Sequence, residues 1–269
     1  MELLKAIAEN LTSVKEKSPL IHHITNYVTV NDCANMVLAL GGSPVMADDI
    51  EEVQQMVSFA GALVINIGTL NQRTIESMIA AGKKANELGI PVILDPVGVG
   101  ATDLRTKTAD RLLKEVKMSV IRGNMSEIKI LSGLNVEIKG VDSAADDTDG
   151  REIAVGLSKR LNCAVAITGA VDIIAEGDKV CLISNGDKIL SKVTGTGCMS
   201  TSLIGTYAGA SKDYFTAAVA GVMTMGLAGE LAFKSLESED GIGTFKVRLF
   251  DEIYKMNEEK LISGGKLLF

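Results

Sequence analysis

Tryptophan is missing from this chain, and aromatic residues of every kind make up only 4% of its 269 residues. Stacking platforms for exposed bases are therefore scarce. The formal charge of −7 also denies the surface the broad basic field that a nucleic-acid backbone or an anionic membrane requires. Neither nucleic acid nor a membrane is an expected partner. Only four cysteines occur, Cys33, Cys163, Cys181 and Cys198, with no C-x-x-C pair and no signal-peptide pattern at the mixed, charged N-terminus. A disulfide framework is excluded, and reduced thiols in a cytoplasmic protein are expected. Cys33 and Cys163 sit in apolar segments and read as core, Cys181 reads as another strand residue, and Cys198 is the exception by position. The only two histidines, His22 and His23, are adjacent on an extended segment, so they project to opposite faces and make a poor zinc site. No G-x-x-x-x-G-K-[ST] sequence is present, which disfavours a P-loop fold. Tyr214 to Phe233 is long enough to span a membrane, but Glu230 and its many small residues predict a tightly packed internal helix.

What the chain does have is hydrophobic residues, 46% of the total and enough for a substantial core, with only four prolines to interrupt regular structure. Short apolar runs at Ala62–Ile67, Pro91–Leu94, Met118–Ile121 and Cys163–Ile167 read as buried strands. Amphipathic stretches separate them. Ile75, Met78, Ile79 and Gly82 follow a helical period that Gly89 stops before Pro91. This βα alternation predicts an α/β fold with a central, mostly parallel sheet flanked by helices. Asp172–Glu176 and Val180–Ser184 predict a hairpin around Gly177-Asp178-Lys179, and Asn185-Gly186 predicts another turn. Helices are expected at Cys198–Ala210, Phe215–Leu236 and Phe245–Asn257. The aspartate-rich Asp142–Gly150 reads as an exposed loop rather than a linker. With no internal repeat, residues 1–269 are expected to form a single domain.

Ligands of open α/β sheets bind beyond the carboxyl ends of the strands, so the residues there bear on function. After one strand comes Asp95-Pro96-Val97-Gly98, after the next Arg122-Gly123-Asn124-Met125-Ser126-Glu127, then Thr168-Gly169. Near the end, Lys192-Val-Thr-Gly-Thr-Gly-Cys198 runs from a glycine-rich turn into a helix, placing free backbone N–H groups at its positive end. Carboxylates such as Asp95 and Glu127 suit a hydrated magnesium ion, Arg122 offers a planar fork for phosphate oxygens, and Gly195 and Gly197 let the backbone approach an anion. Each feature also has an ordinary reading: Asn124 with Glu127 is a helix cap, Asp95-Pro96 a strand-ending turn, and the two glycines a source of unusual dihedrals. Taken together at successive strand ends, they favour phosphoryl transfer.

The chain resembles the hydroxyethylthiazole kinases of the ribokinase-like superfamily. The resemblance rests on HHITNYVTVNDCAN (22–35), GGSPVMADD (41–49), NIGTL (66–70), LDPVGVGAT (94–102), IRGNMSEI (121–128), AITG (166–169) and VTGTGC (193–198). It implies ATP-dependent phosphorylation of the primary hydroxyl of 4-methyl-5-(2-hydroxyethyl)thiazole in thiamine salvage, with Mg2+, by a homotrimer whose neighbours share active sites. By matching position it implies that Met46 and Gly195 contact the thiazole with Asn26 close by, that Arg122 and Thr168 contact ATP, and that Asp95 and Glu127 organise magnesium. Cys198 stands where most ribokinase-like enzymes have an aspartate base, a departure the thiazole kinases share, and it joins Gly195 and Gly197 as a catalytic candidate. A helix N-terminus can favour its thiolate, although a cysteine remains an imperfect base. The family loop matched by Gly241–Phe245 usually has proline where Ile242 stands.

Overall fold

In the computed structural model, which describes residues 2–134 and 147–269, every apolar run singled out above is a strand of one sheet. In chain order the elements are α1 (Glu2–Lys17), β1 (Leu20–Ile24), α2 (Val30–Leu40), β2 (Ser43–Met46), α3 (Val53–Ser58), β3 (Ala62–Asn66) and α4 (Gln72–Leu88). They continue with β4 (Val92–Asp95), α5 (Asp103–Glu115), β5 (Val120–Asn124), α6 (Met125–Leu131), α7 (Asp147–Leu161), β6 (Ala164–Thr168), β7 (Asp172–Glu176) and β8 (Lys179–Ile183). After a 3₁₀ turn at Lys188–Lys192 come α8 (Thr196–Ala210), α9 (Tyr214–Lys234), α10 (Ile242–Tyr254), α11 (Glu258–Gly264) and β9 (Leu267–Leu268). The strand order is β2-β1-β3-β4-β5-β6-β7-β8-β9. The strands from β2 to β6 pair in parallel, and β7, β8 and β9 are added antiparallel.

The central strands are continuous apolar runs because both faces of the sheet are covered. Alternate residues serve different cores: Val64, Ile93, Val120 and Ala164 belong to the one that includes residues of α1, α2, α8, α9 and α10. Leu63, Ile65, Val92, Leu94, Ile121 and Val165 belong to the other, with residues of α3 to α7. Helix α4 ends where the sequence placed its stop: Gly89 takes a left-handed φ of 68° that an L side chain rarely adopts. Helix α9 is the one element among the described residues long and apolar enough to cross a membrane, and its most apolar window is 94% buried inside the protein. It is the internal helix expected from its small residues.

Two local expectations are corrected. Asn185-Gly186 does not form the turn expected of it. The Asn185 side chain donates to Gly264 O and accepts from Lys266 N–H, while Gly186 N–H donates to the Glu230 carboxylate. Tertiary bonds to α9, to the end of α11 and to the lead-in of β9 outweigh the local turn preference of Asn-Gly. The Asp142–Gly150 loop falls partly outside the described residues, and from Asp147 onward the backbone is already helical. Both histidines lie on β1 and are buried, His22 Nε2 2.7 Å from Ala47 O and His23 Nε2 3.0 Å from Ser202 Oγ on α8.

Candidate active site

Parallel pairing brings the carboxyl ends of β3, β4, β5 and β6 into line, with Asn66 opposite Asp95 and Asn124 opposite Thr168. The polar residues that end these strands converge beside the N-terminus of α8. Asp95 is fully buried. Its Oδ2 accepts hydrogen bonds from Asn66 Nδ2 at 2.8 Å and Thr201 Oγ1 at 2.9 Å. Its Oδ1 is buried without a hydrogen-bond partner and lies 3.8 Å from the Arg122 guanidinium. Burial pushes the Asp95 carboxyl up to about 6 and the negative Glu127 adds to the rise, against the lowering pull of Arg122, Thr201 and Asn66.

Arg122 donates to Thr168 Oγ1 at 2.5 Å, so the two residues expected at ATP are in contact. Its guanidinium lies over the backbone at Gly197, where an added Cβ would come within 2.5 Å of Nη1. Only a glycine leaves that approach open. Glu127 closes a capping box with Asn124, its Oε2 accepting Asn124 N–H at 2.8 Å. Its Oε1 accepts Gly98 N–H, also at 2.8 Å. The capping reading of N-x-x-E is thus correct, and the same bonds aim Glu127 at the turn that follows Asp95.

Gly195 is the N-cap of α8 with φ of 85°, and an added Cβ would sit 2.3 Å from Thr29 Cγ2. Thr29 in turn donates through N–H and Oγ1 to Asn26 Oδ1. Cys198 lies in the first turn of α8, its Sγ 3.4 Å from Asn26 Nδ2 and 3.2 Å from Asn66 Nδ2. Burial, then the nearby Asp95 charge, pushes its thiol up to about 12. This corrects the expectation that the helix end favours a thiolate: desolvation wins, and Cys198 is a neutral thiol at physiological pH.

The structure therefore joins Asn26, Asp95, Arg122, Glu127, Thr168, Gly195, Gly197 and Cys198 around one helix N-terminus. Met46 stands apart, half-buried at the carboxyl end of edge strand β2, in register with His23 and with β1 between it and Asn66. Two residues of the cluster went unassigned in the sequence, Asn66 and Thr201. Asn66 opens the NIGTL segment and ends a strand, which is the signal that marks it; Thr201, inside an apolar helix, carries none. Among the described residues no group of three or more His, Cys, Asp or Glu could hold a metal ion. The unpartnered Asp95 Oδ1 nevertheless fits a cation, and a sparse carboxylate set suits magnesium, which keeps most of its waters.

The family model described as the hydroxyethylthiazole kinase family matches residues 11–259 of this chain. This chain belongs to the hydroxyethylthiazole kinase family. A hydroxyethylthiazole kinase of Alkaliphilus oremlandii is 57% identical over 268 residues, covering 99% of both chains. That of Clostridium beijerinckii is 55% identical over 271 residues, covering 99% of this chain and 98% of its own. Among solved structures, the hydroxyethylthiazole kinase protein of Pyrococcus horikoshii OT3 superposes with a TM-score of 0.89 at 38% identity, covering 98% of each chain. The pyridoxal kinase of Staphylococcus aureus, at 14% identity and a TM-score of 0.60, shares the fold alone. The fold is ribokinase-like, and as a member of the hydroxyethylthiazole kinase family this protein is a kinase.

Proposed function

We propose that this kinase transfers a phosphoryl group from ATP to the primary hydroxyl of 4-methyl-5-(2-hydroxyethyl)thiazole, a salvage step toward thiamine carried out in the cytoplasm. The observation that carries the reading is the convergence of Arg122, Thr168 and the buried, half-partnered Asp95 on the Gly195–Cys198 turn at the start of α8. Arg122 and Thr168 hold ATP phosphate oxygens, and the free N–H groups of the helix end receive the charge that spreads over the moving phosphoryl group. Met46, Asn26 and Gly195 form the thiazole side. Asp95 and Glu127 would hold magnesium, partly through waters, and the ion when bound would neutralise phosphate charge. Cys198 lies near the acceptor hydroxyl as a neutral group. A loose transfer transition state demands little proton removal before the phosphoryl group moves, so positioning and charge stabilisation carry the rate.

One sheet running from β2 to β9 supports reading residues 1–269 as a single domain. We also propose a homotrimer with active sites shared between neighbours, in keeping with Met46 lying on an edge strand away from Cys198. The deciding experiment is ATP- and magnesium-dependent product formation from hydroxyethylthiazole, with hydroxymethylpyrimidine in parallel. Preferential thiazole phosphate is expected; none from folded protein would reject the reading. A monomer mass by light scattering at assay concentration would reject the trimer.

A further inference from the structure

Asn66 has all four of its amide valences directed. Oδ1 accepts Gly68 N–H at 2.9 Å and Asn26 Nδ2 at 3.0 Å, while Nδ2 donates to Asp95 Oδ2 at 2.8 Å and lies 3.2 Å from Cys198 Sγ. The amide cannot be turned over: a backbone N–H faces one end and a carboxylate the other. Asn26 is fixed in the same way, because its Oδ1 accepts Thr29 N–H and its Nδ2 must then face Asn66 and Cys198. The bonds therefore run in one direction, from the N-cap of α2 through Asn26 and Asn66 to the Asp95 carboxylate. Each donor polarises the next.

The surroundings hold this chain in place. An added Cβ at Gly68 would lie 2.9 Å from Asn66 Oδ1 and 3.0 Å from Asn26 Cβ, so only glycine lets the loop close over both asparagines. That loop is tied in turn by Arg105, which donates to Gly68 O at 2.7 Å and to Ile67 O at 3.2 Å. Asn66 and Thr201 together occupy Asp95 Oδ2, which leaves Oδ1 as the oxygen facing Arg122.

We infer that Asn66 is a positioning residue for the phosphoryl transfer: its amide N–H groups hold Asp95 and Cys198 in one fixed relation, and its amide oxygen ties them to Asn26 on the thiazole side. The inference rests on the function proposed above and adds to it a residue that links the phosphate side of the site with the acceptor side.

The test is Asn66→Asp, which keeps an oxygen facing Gly68 and Asn26 but sets a second carboxyl against Asp95, so that the two share one proton and the fixed N–H donors to Asp95 and Cys198 are gone. We expect kcat to fall about 10²-fold, the scale of a displaced reacting group. Affinity for the thiazole, by calorimetry without nucleotide, should stay within about threefold, since the oxygen facing Asn26 is kept. If Asn66 only shapes the Gly68 loop, Asn66→Asp retains kcat within about threefold, and that result overturns the inference. Should Asn66→Asp not fold, Asn66→Ser, too short to reach both groups, is read by the same quantities. Wild-type protein that does not phosphorylate the thiazole rejects the proposed function itself. Wild-type turnover with undiminished turnover in the variant rejects only the role of Asn66.

Discussion

Gly197→Ala separates the proposed anion-binding role of the turn from the helix that carries it. Gly197 is the second residue of α8, where alanine is the better helix former by about 0.5–1 kcal/mol, so the backbone gains from the change. The new Cβ would lie 2.5 Å from Arg122 Nη1, 3.0 Å from Nη2 and 3.1 Å from Cζ. Normal contact is about 3.5 Å, so the guanidinium must retreat by about 1 Å, and the bond to Thr168 Oγ1 is lost with it. The far end of a side chain can move at little cost to folding. The stability terms therefore nearly cancel. A misplacement of about 1 Å at the phosphate costs about 10²-fold in kcat/KM, or about 2.7 kcal/mol of transition-state stabilisation. Steady-state kinetics beside a thermal melt reads both quantities. The expected result is a Tm within a few degrees of wild type with kcat/KM about 10²-fold lower. Activity within about threefold of wild type would refute the placement of Arg122 at the transferring group, and a fall in Tm large enough to explain the loss would reduce Gly197 to a structural role.

For Cys198→Ala we expect kcat to fall by no more than about 10²-fold, because a thiol pushed up to about 12 is almost wholly neutral at assay pH; a 10⁴-fold loss would require a thiolate base, and a wild-type rate would remove Cys198 from the chemistry. Asp95 has its folded pKa raised by burial from 3.8 to about 6, so the folded state binds the proton more tightly and stability falls as pH rises from about 4 through about 6. Above that window the buried charge costs about 3 kcal/mol, so Asp95→Asn should abolish activity yet unfold at higher denaturant than wild type at about pH 8, with little difference at about pH 4. Equal midpoints at both pH values would contradict this. Ile242→Pro places proline at the first residue of α10, after a Gly241 already in the extended backbone region, and should stabilise by about 0.4–1 kcal/mol in a denaturant titration; a lower midpoint would show that the N–H of Ile242 is needed.

Much of the site is visible before folding because its residues fall at positions with strong local signals. Asp95 and Thr168 end apolar runs, Arg122 and Asn124 follow one, and Asn124 announces α6 through Glu127 three residues later. Asn66 ends β3 and opens the NIGTL segment, but an uncharged asparagine names no chemistry by itself, so its part is seen only when Asp95 and Cys198 are set against it. Thr201 is hidden altogether, since a threonine one turn into an apolar helix looks like packing until its hydroxyl is found 2.9 Å from Asp95 Oδ2. Asn185-Gly186 fails in the opposite sense: a strong turn signal yields to bonds with residues far along the chain, Glu230, Gly264 and Lys266.

The sequence by itself determined the α/β alternation, the stop at Gly89, the internal character of α9 and the set of polar strand ends, because each depends on hydrophobic period or on the dihedral limits of neighbouring residues. Only the tertiary structure decided the charge state of the site. Whether a cysteine at a helix end becomes a thiolate depends on how much water it loses and which charges surround it. Here burial, and after it the carboxylate of Asp95, more than a hundred residues earlier in the chain, push the thiol up. The same packing holds Arg122 against Gly197 and fixes the direction of the asparagine chain, relations among β1, β3, β4, β5 and α8 that no window of the sequence contains.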